Sequence, residues 1–406
     1  MNINPVNINL NSPAFKANPF PFYTQLRNDA PVCRISVSRN RHAWLITRYE
    51  DVTMALKDER LVKNKLNALT PEQLTKQPWT PRFFRPLARN MLYLDVPDHT
   101  RLRALVHKAF TPRLIEQMRT RVQTISEELL DSAQKRGHID LIGDYALPIP
   151  TVVIADMLGV PAADQHKFHR WSNALVSSNQ TGMGTLKMIP HVLAFLSYIR
   201  KLIKAKRAEP QDDLTSALVQ VEDAGEQLSE DELVAMIFLL LVAGHETTVN
   251  LIGNGMLALL EHPDQMQELR QEPALIRSAV EELLRFDSPV ALATDRYARE
   301  DMTIAGVTIP RGELVYAVLA SANRDERQFP NPDLLDLKRE PNKHVAFGNG
   351  IHYCLGAPLA RMEGQIAINA LLCRLPAMRL AVPPEKLRWR HGILLHSLEN
   401  LPVAFT

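Results

Sequence analysis

Residues 347–357, Phe347-Gly348-Asn349-Gly350-Ile351-His352-Tyr353-Cys354-Leu355-Gly356-Ala357, bring three glycines, a histidine and a cysteine into one short loop. Glycine allows close approach and left-handed dihedrals. Helical periodicity starts at Ala357, so Cys354 stands just ahead of a helix, where free N–H groups and the positive dipole end favour a thiolate. Such a thiolate can serve as a nucleophile or a metal ligand; a single cysteine is also often a small buried hydrophobe. A structural zinc site would use His352 with Cys354, but no second Cys or His pair has zinc spacing, and His344 and His391 are isolated.

A second group is Ala243-Gly244-His245-Glu246-Thr247-Thr248, set in an apolar run. An acid beside an alcohol in such surroundings is costly unless satisfied. Thr247 can bond back to the carbonyl of Ala243, which bends helices, and Gly244 removes bulk at that point. The arrangement leaves room for a small ligand, or it is a locally satisfied threonine beside a salt-bridged glutamate. Glu282 and Arg285 are three apart on a predicted helix, a spacing usually worth a few tenths of a kcal/mol at a surface. Asp95 is the expected cap, and Pro97 the first turn, of a helix carrying His99 and Arg103 on one side. That helix reads equally as a solvated basic one.

The elements that must hold these residues follow from punctuation and period. Ser229 with Glu232 forms a capping box, and nothing breaks the helix before Pro263. This predicts about 33 residues and roughly 50 Å of helix. It is apolar nearly all round over Met236–Ala243, which predicts burial there. Strands are expected at Cys33–Ser36 and Ala43–Ile46 around Ser38-Arg39-Asn40. Others are expected at Met302–Ile304, at Val307–Ile309 after a Gly306 turn, and at Leu314–Ala317. A last long helix starts at about Ala357. The strand signals lie toward both ends of the chain and are expected to pair. The reading is one mainly α domain with small β-sheets over 1–406, β-rich near 32–47 and 302–318, helical over about 98–286 and 357–374.

Composition limits the function classes. A length of 406 residues would allow two or three domains on size alone. Lys plus Arg is 47 and Asp plus Glu is 45, a net +2, which argues against a nucleic-acid footprint. The longest apolar run, Leu233–Gly244, ends at His245 and Glu246, short of the ~20 residues of a membrane span. The first residues show neither a basic region nor an apolar core, so no signal peptide is expected. Cys33, Cys354 and Cys373 are odd in number and far apart, which fits a reducing, cytoplasmic compartment.

The pattern Phe-Gly-x-Gly-x-His-x-Cys-x-Gly over 347–356 resembles the haem-ligand signature of the cytochrome P-450 haem-thiolate monooxygenases, and the resemblance extends from Phe22 to His391. It implies a single triangular domain with a long central helix over haem b. Cys354 would be the proximal thiolate that favours O–O cleavage. Phe347 would pack on the macrocycle, with Gly348 and Gly356 shaping the loop and later N–H groups bonding the sulfur. Ala243 and Gly244 would form the oxygen groove, Thr247 its alcohol and Glu246 its acid, where Asp is commoner; His245 would be structural. Glu282, Arg285 and Arg339 would form a buried structural triad. His99, Arg103, Arg296 and His352 would hold the haem propionates. Glu326 stands where the family usually has proline, with little expected consequence.

The resemblance also places a substrate pocket along the loop from about Val62 to Leu94, where Trp79, Phe83, Phe84 and Met91 are apolar. The Trp171–Met188 region, Leu240 and Ala243, a strand Val290–Thr294 including Ala291, and a turn Ile393–Leu395 including Leu394 complete it. An apolar pocket implies a small hydrophobic substrate; sterol, polyketide or macrolide, terpenoid and fatty acid are not separable. The implied reaction inserts one oxygen atom from O2 by hydroxylation or epoxidation. Alternatives of the same fold are a haem-thiolate sensor without turnover and a peroxide-driven peroxygenase; the intact Glu246–Thr247 pair counts against the sensor, and peroxygenases often lack it. No flavin, nucleotide or cluster motif is present, so electrons from NAD(P)H are expected through a separate ferredoxin or flavodoxin with its reductase. Arg103, His107, Lys108, Arg113 and Arg361 are the expected basic docking face. The chain is expected to be a monomer.

Overall fold

The computed structural model describes residues 9–38, 41–75, 90–167, 171, 183–223, 225–375 and 377–405. Trp79, Phe83, Phe84 and most of the Trp171–Met188 region lie outside them. The central helix runs Glu230–Glu261, 32 residues. Ser229 Oγ accepts from the Glu232 N–H, and the Glu232 carboxylate accepts from the Ser229 N–H at 2.8 Å, closing the capping box. By length and composition alone this helix is long and apolar enough to cross a membrane. Here it packs against Pro148–Met157, Met183–Ala208, Ile276–Phe286 and Ala357–Arg374.

Its burial departs from the uniform pattern expected over Met236–Ala243. Leu233–Ile237 and Thr248–Leu259 are buried, whereas Val242, Ala243 and Gly244 are open, Val242 by 36%. The middle of this core helix thus presents an open face at Val242–Gly244.

Chain ends meet in the main sheet. Its strand order is Val32–Ser38, Arg41–Ile46, Leu314–Ala317, Arg296–Ala298, Leu61–Val62. Arg41–Ile46 runs parallel to Leu314–Ala317, with Trp44 opposite Val315, and the other neighbours are antiparallel. This pairing joins the two β-rich ends as the sequence led one to expect. Met302–Ile304 and Val307–Ile309 form a hairpin whose turn residues, Ala305 and Gly306, have φ of 46° and 77°. Two positive φ values define the turn type that matches strand twist.

Some elements differ from expectation. The helical stretch contains a strand, His138–Asp140, which pairs with Pro402–Ala404, and a short hairpin, Glu222–Asp223 with Glu226–Gln227. Val290–Thr294 is not a strand: Val290 bridges Leu395 and Leu292 bridges Val318 singly. Asp95 does not cap the helix Asp98–Ala109. Its carboxylate accepts instead from the N–H groups of Lys63 and Asn64 and from the Asn67 side chain. Glu326 has a partner that proline would lack. The buried Arg27 guanidinium donates to it at 3.0 and 3.1 Å, so the departure carries an ion pair.

Candidate functional site

The cysteine loop is shaped by two glycines. Gly348 and Gly350 have φ of 75° and 73°, and a side chain at Gly350 would meet the Leu56 carbonyl at 2.8 Å. Gly356 has an ordinary φ of −81° and open space around it, so neither dihedral nor crowding demands glycine there. The Cys354 N–H donates to the Phe347 carbonyl at 2.9 Å, closing the loop. The helix Ala357–Arg374 begins just beyond, capped by Gly356. Burial pushes the Cys354 thiol up. The Gly356 amide, Arg103, Arg361 and the Ala357 amide pull it down without reversing the net direction. The helix start alone therefore does not deliver a thiolate, whereas a bound metal cation does.

Beside this loop lies a cluster of basic side chains. The His99 and His352 rings are 4.1 Å apart. Burial, then neighbouring His99, Lys63, Arg296 and Arg103, lowers His352 to about 2; burial and Arg103 lower His99 to about 4. Arg296 is buried, donates to the carbonyls of Leu61 and Leu56 at 3.2 Å, and is lowered by burial to about 10. Neither His99 Nδ1 nor Arg296 Nε has a hydrogen-bond partner among the described residues. Buried donors and cations left so are costly unless an anion answers them.

Lys63 belongs to this cluster and the sequence reading missed it. It is buried, donates to the carbonyls of Thr294 and Asp295 at 2.9 and 3.1 Å, and burial with Arg296 lowers it to about 7. Only the sheet register, Val62 opposite Tyr297, brings it beside Arg296. No local motif signals that.

On the central helix, Thr247 Oγ1 donates to the Ala243 carbonyl at 3.0 Å and Thr248 Oγ1 to Gly244 at 3.3 Å. A side chain at Gly244 would meet only Ile154, at 3.8 Å. His245 is buried, with Nδ1 against the Leu241 carbonyl at 2.8 Å. Glu246 is half-buried. Burial raises its carboxyl and the Arg390 charge opposes that rise.

Glu282 and Arg285 are fully buried. Arg285 Nε and Nη2 donate to both carboxylate oxygens at 2.7 and 2.8 Å, and Arg339 Nε adds a third bond at 3.1 Å. The Asp336 N–H and Asn342 side chain also donate to Glu282. The network fastens residues 330–342, which lead into the cysteine loop, to the helix Ile276–Phe286.

The expected pocket residues divide. Val290 and Ala291 meet Leu395 and Leu394, the Ala291 N–H donating to the Leu394 carbonyl at 2.8 Å. Ala291, with Ile393 and Leu394 against it, packs into the N-terminal apolar cluster with Tyr23 and Phe15. Met91 is buried in the main core, and Leu240 is half-buried against it. Among the docking cations, His107, Lys108 and Arg113 are exposed. Arg361 is not free: it pairs with Glu281 at 2.7 and 2.8 Å and lies over Phe347.

A mainly α fold in which a cysteine just ahead of a helix start adjoins a cluster of buried basic side chains fits a haem-thiolate class of protein. The sequence profile described as Cytochrome P-450 matches residues 4–401, and the chain belongs to that family. PksS of Bacillus subtilis (strain 168), a polyketide biosynthesis cytochrome P-450, is 45% identical over 396 residues, 97% of each chain. Its solved structure has a TM-score of 0.91 at 43% identity, covering 98% of this chain and 100% of that one. Vitamin D(3) 25-hydroxylase of Pseudonocardia autotrophica is 46% identical, covering 97% of this chain and 95% of its own. Mycinamicin IV hydroxylase/epoxidase of Micromonospora griseorubida is 43% identical over 94% of each. The chain is thus a cytochrome P-450 monooxygenase. Its cofactor is haem b on a cysteine thiolate, its oxidant O2, and its electrons come from NAD(P)H through partner proteins.

Proposed function

We propose that Cys354 is the thiolate ligand and that the enzyme oxygenates a bulky, acyl-derived hydrophobic substrate of the polyketide or macrolide kind. The observation that carries the site assignment is the cluster of basic side chains beside the Cys354 loop, with His99 Nδ1 and Arg296 Nε lacking a partner among the described residues. His99, Arg103, Arg296 and His352, with Lys63 behind them, suit the two carboxylates of haem, and its apolar ring suits the open face at Val242–Gly244. Haem held there supplies dioxygen activation, one atom entering a C–H or C=C bond of the substrate and the other leaving as water.

The protein's own groups then govern protons and access. Glu246, its carboxyl raised by burial and placed beside Thr247, is suited to take and release a proton. Thr247 is adjacent, its hydroxyl proton committed to Ala243 and its lone pairs available as acceptors. The Glu282 triad fixes the approach to the cysteine loop.

The polyketide assignment rests on what PksS is named for, and on the apolar character of Leu240, Val242 and Val290. Electron delivery is assigned to a ferredoxin or flavodoxin that docks on His107, Lys108 and Arg113, with the enzyme monomeric and cytoplasmic. A panel of macrolactones, secosteroids, terpenoids and fatty acids, scored by the ferric Soret shift, tests the substrate reading. Macrolactones should shift the band at the lowest concentration. Preferential response to a fatty acid or secosteroid would overturn that class while leaving the monooxygenase assignment intact.

A further inference from the structure

Arg361 lies in the second turn of the helix Ala357–Arg374. Its Nε and Nη2 donate to the two oxygens of Glu281 at 2.7 and 2.8 Å, and Nη1 donates to the Tyr353 hydroxyl at 3.2 Å. Its Cζ stands 4.4 Å from the Phe347 ring centre. The guanidinium therefore touches both arms of the cysteine loop: the residue before Cys354, and the residue whose carbonyl accepts the Cys354 N–H.

Glu281 Oε2 also meets His344 Nε2 at 3.0 Å, while the Ala346 N–H donates to His344 Nδ1 at 3.2 Å. In that geometry His344 Nε2 donates to the carboxylate. Burial pushes the Glu281 carboxyl up, but its bonds to Arg361 and His344 outweigh that and hold it at about 2. Glu281 is thus ionised and cancels Arg361. The other guanidinium acting on Cys354 is Arg103. Its Nε donates to His107 at 3.1 Å, and no carboxylate pairs with it among the described residues.

We propose that Glu281 and Arg361 form a neutral pair that sets the electrostatic potential at the Cys354 sulfur, acting as positioning residues, and that Arg361 is not a docking cation. This rests on Cys354 being the haem ligand. A bidentate carboxylate–guanidinium pair is geometrically rigid, so the charge beside the sulfur is fixed in place as well as cancelled. Removing the carboxylate exposes a positive charge near the thiolate and favours the reduced metal. Removing the guanidinium exposes a negative charge and disfavours it.

The test is the ferric/ferrous potential of haem-loaded Glu281→Gln, Arg361→Gln and the double variant, measured without partner at pH 8. Glu281→Gln should move the potential positive, Arg361→Gln negative, and the double variant should return near the parent. Glu281→Asp and Arg361→Lys, which keep the charges, should stay near the parent. If Arg361→Gln does not retain haem, the sign for Glu281→Gln against Glu281→Asp decides. Single-variant shifts of the same sign, or none, with the thiolate spectrum intact, overturn the pair's role. Persistence of the thiolate spectrum in Cys354→His would instead overturn the ligand assignment.

Discussion

Glu363 offers the sharpest pH prediction. It sits on the helix Ala357–Arg374, buried, with Oε2 lacking a partner among the described residues. Burial raises its carboxyl from 4.5 to about 8. The folded protein therefore binds a proton between those values that the unfolded chain releases, and stability falls as pH rises through that window. One unit is worth about 1.4 kcal/mol, so the ceiling is roughly 5 kcal/mol above pH 8. Between pH 5 and 7 the loss comes to roughly 2.5 kcal/mol by the same linkage. Glu363→Gln keeps the shape and cannot ionise. Urea unfolding of both proteins across pH 5–8, compared as a difference, cancels every other titrating group and any constant cost of the amide. The variant should gain on the parent steadily as pH rises. A flat difference would refute the claim that the buried carboxyl is held neutral.

Glu282→Gln should lose about 3–5 kcal/mol by stranding the buried Arg285, read as a lower urea midpoint and faster haem loss. Thr247→Ala should keep NAD(P)H and O2 consumption but divert flux to hydrogen peroxide. Glu246→Gln should slow consumption itself, by an amount on the order of 10²-fold, because the proton supply is starved; product, peroxide and cofactor counts distinguish the two. Reduction by the partner should slow with rising salt, and Lys108→Glu or Arg113→Glu should slow it at low salt, since steering charges act through a Debye length of about 8 Å. Salt-independent reduction would leave those residues as a solvated helix face.

What the sequence revealed was whatever is local. The Met302–Ile309 hairpin was readable because alternation brackets Gly306, and the capping box because Ser229 and Glu232 lie within one turn. The Glu282–Arg285 spacing was equally local, although its burial with Arg339 was expected from the family resemblance and not from the spacing. Several side-chain contacts between distant segments were not readable. Lys63 reaches Arg296 through strand register, Arg361 finds Glu281 across 80 positions, and Arg27 finds Glu326 across 299. The three-residue strand His138–Asp140 is too short to leave a period. The exposure of Val242 and Ala243 reverses an expectation of burial, because hydropathy alone does not say which face of an apolar helix is covered.

The central claim is that Cys354, placed by the Gly348–Gly350 turn and the following helix, is the axial ligand. The reduced carbon-monoxide spectrum of the parent, Cys354→His, Cys33→Ser and Cys373→Ser tests it most directly. The parent and both serine variants should show the strongly red-shifted Soret band of thiolate ligation. Cys354→His should lose that band with haem retained, since imidazole is the weaker electron donor. Survival of the band in Cys354→His would contradict the claim.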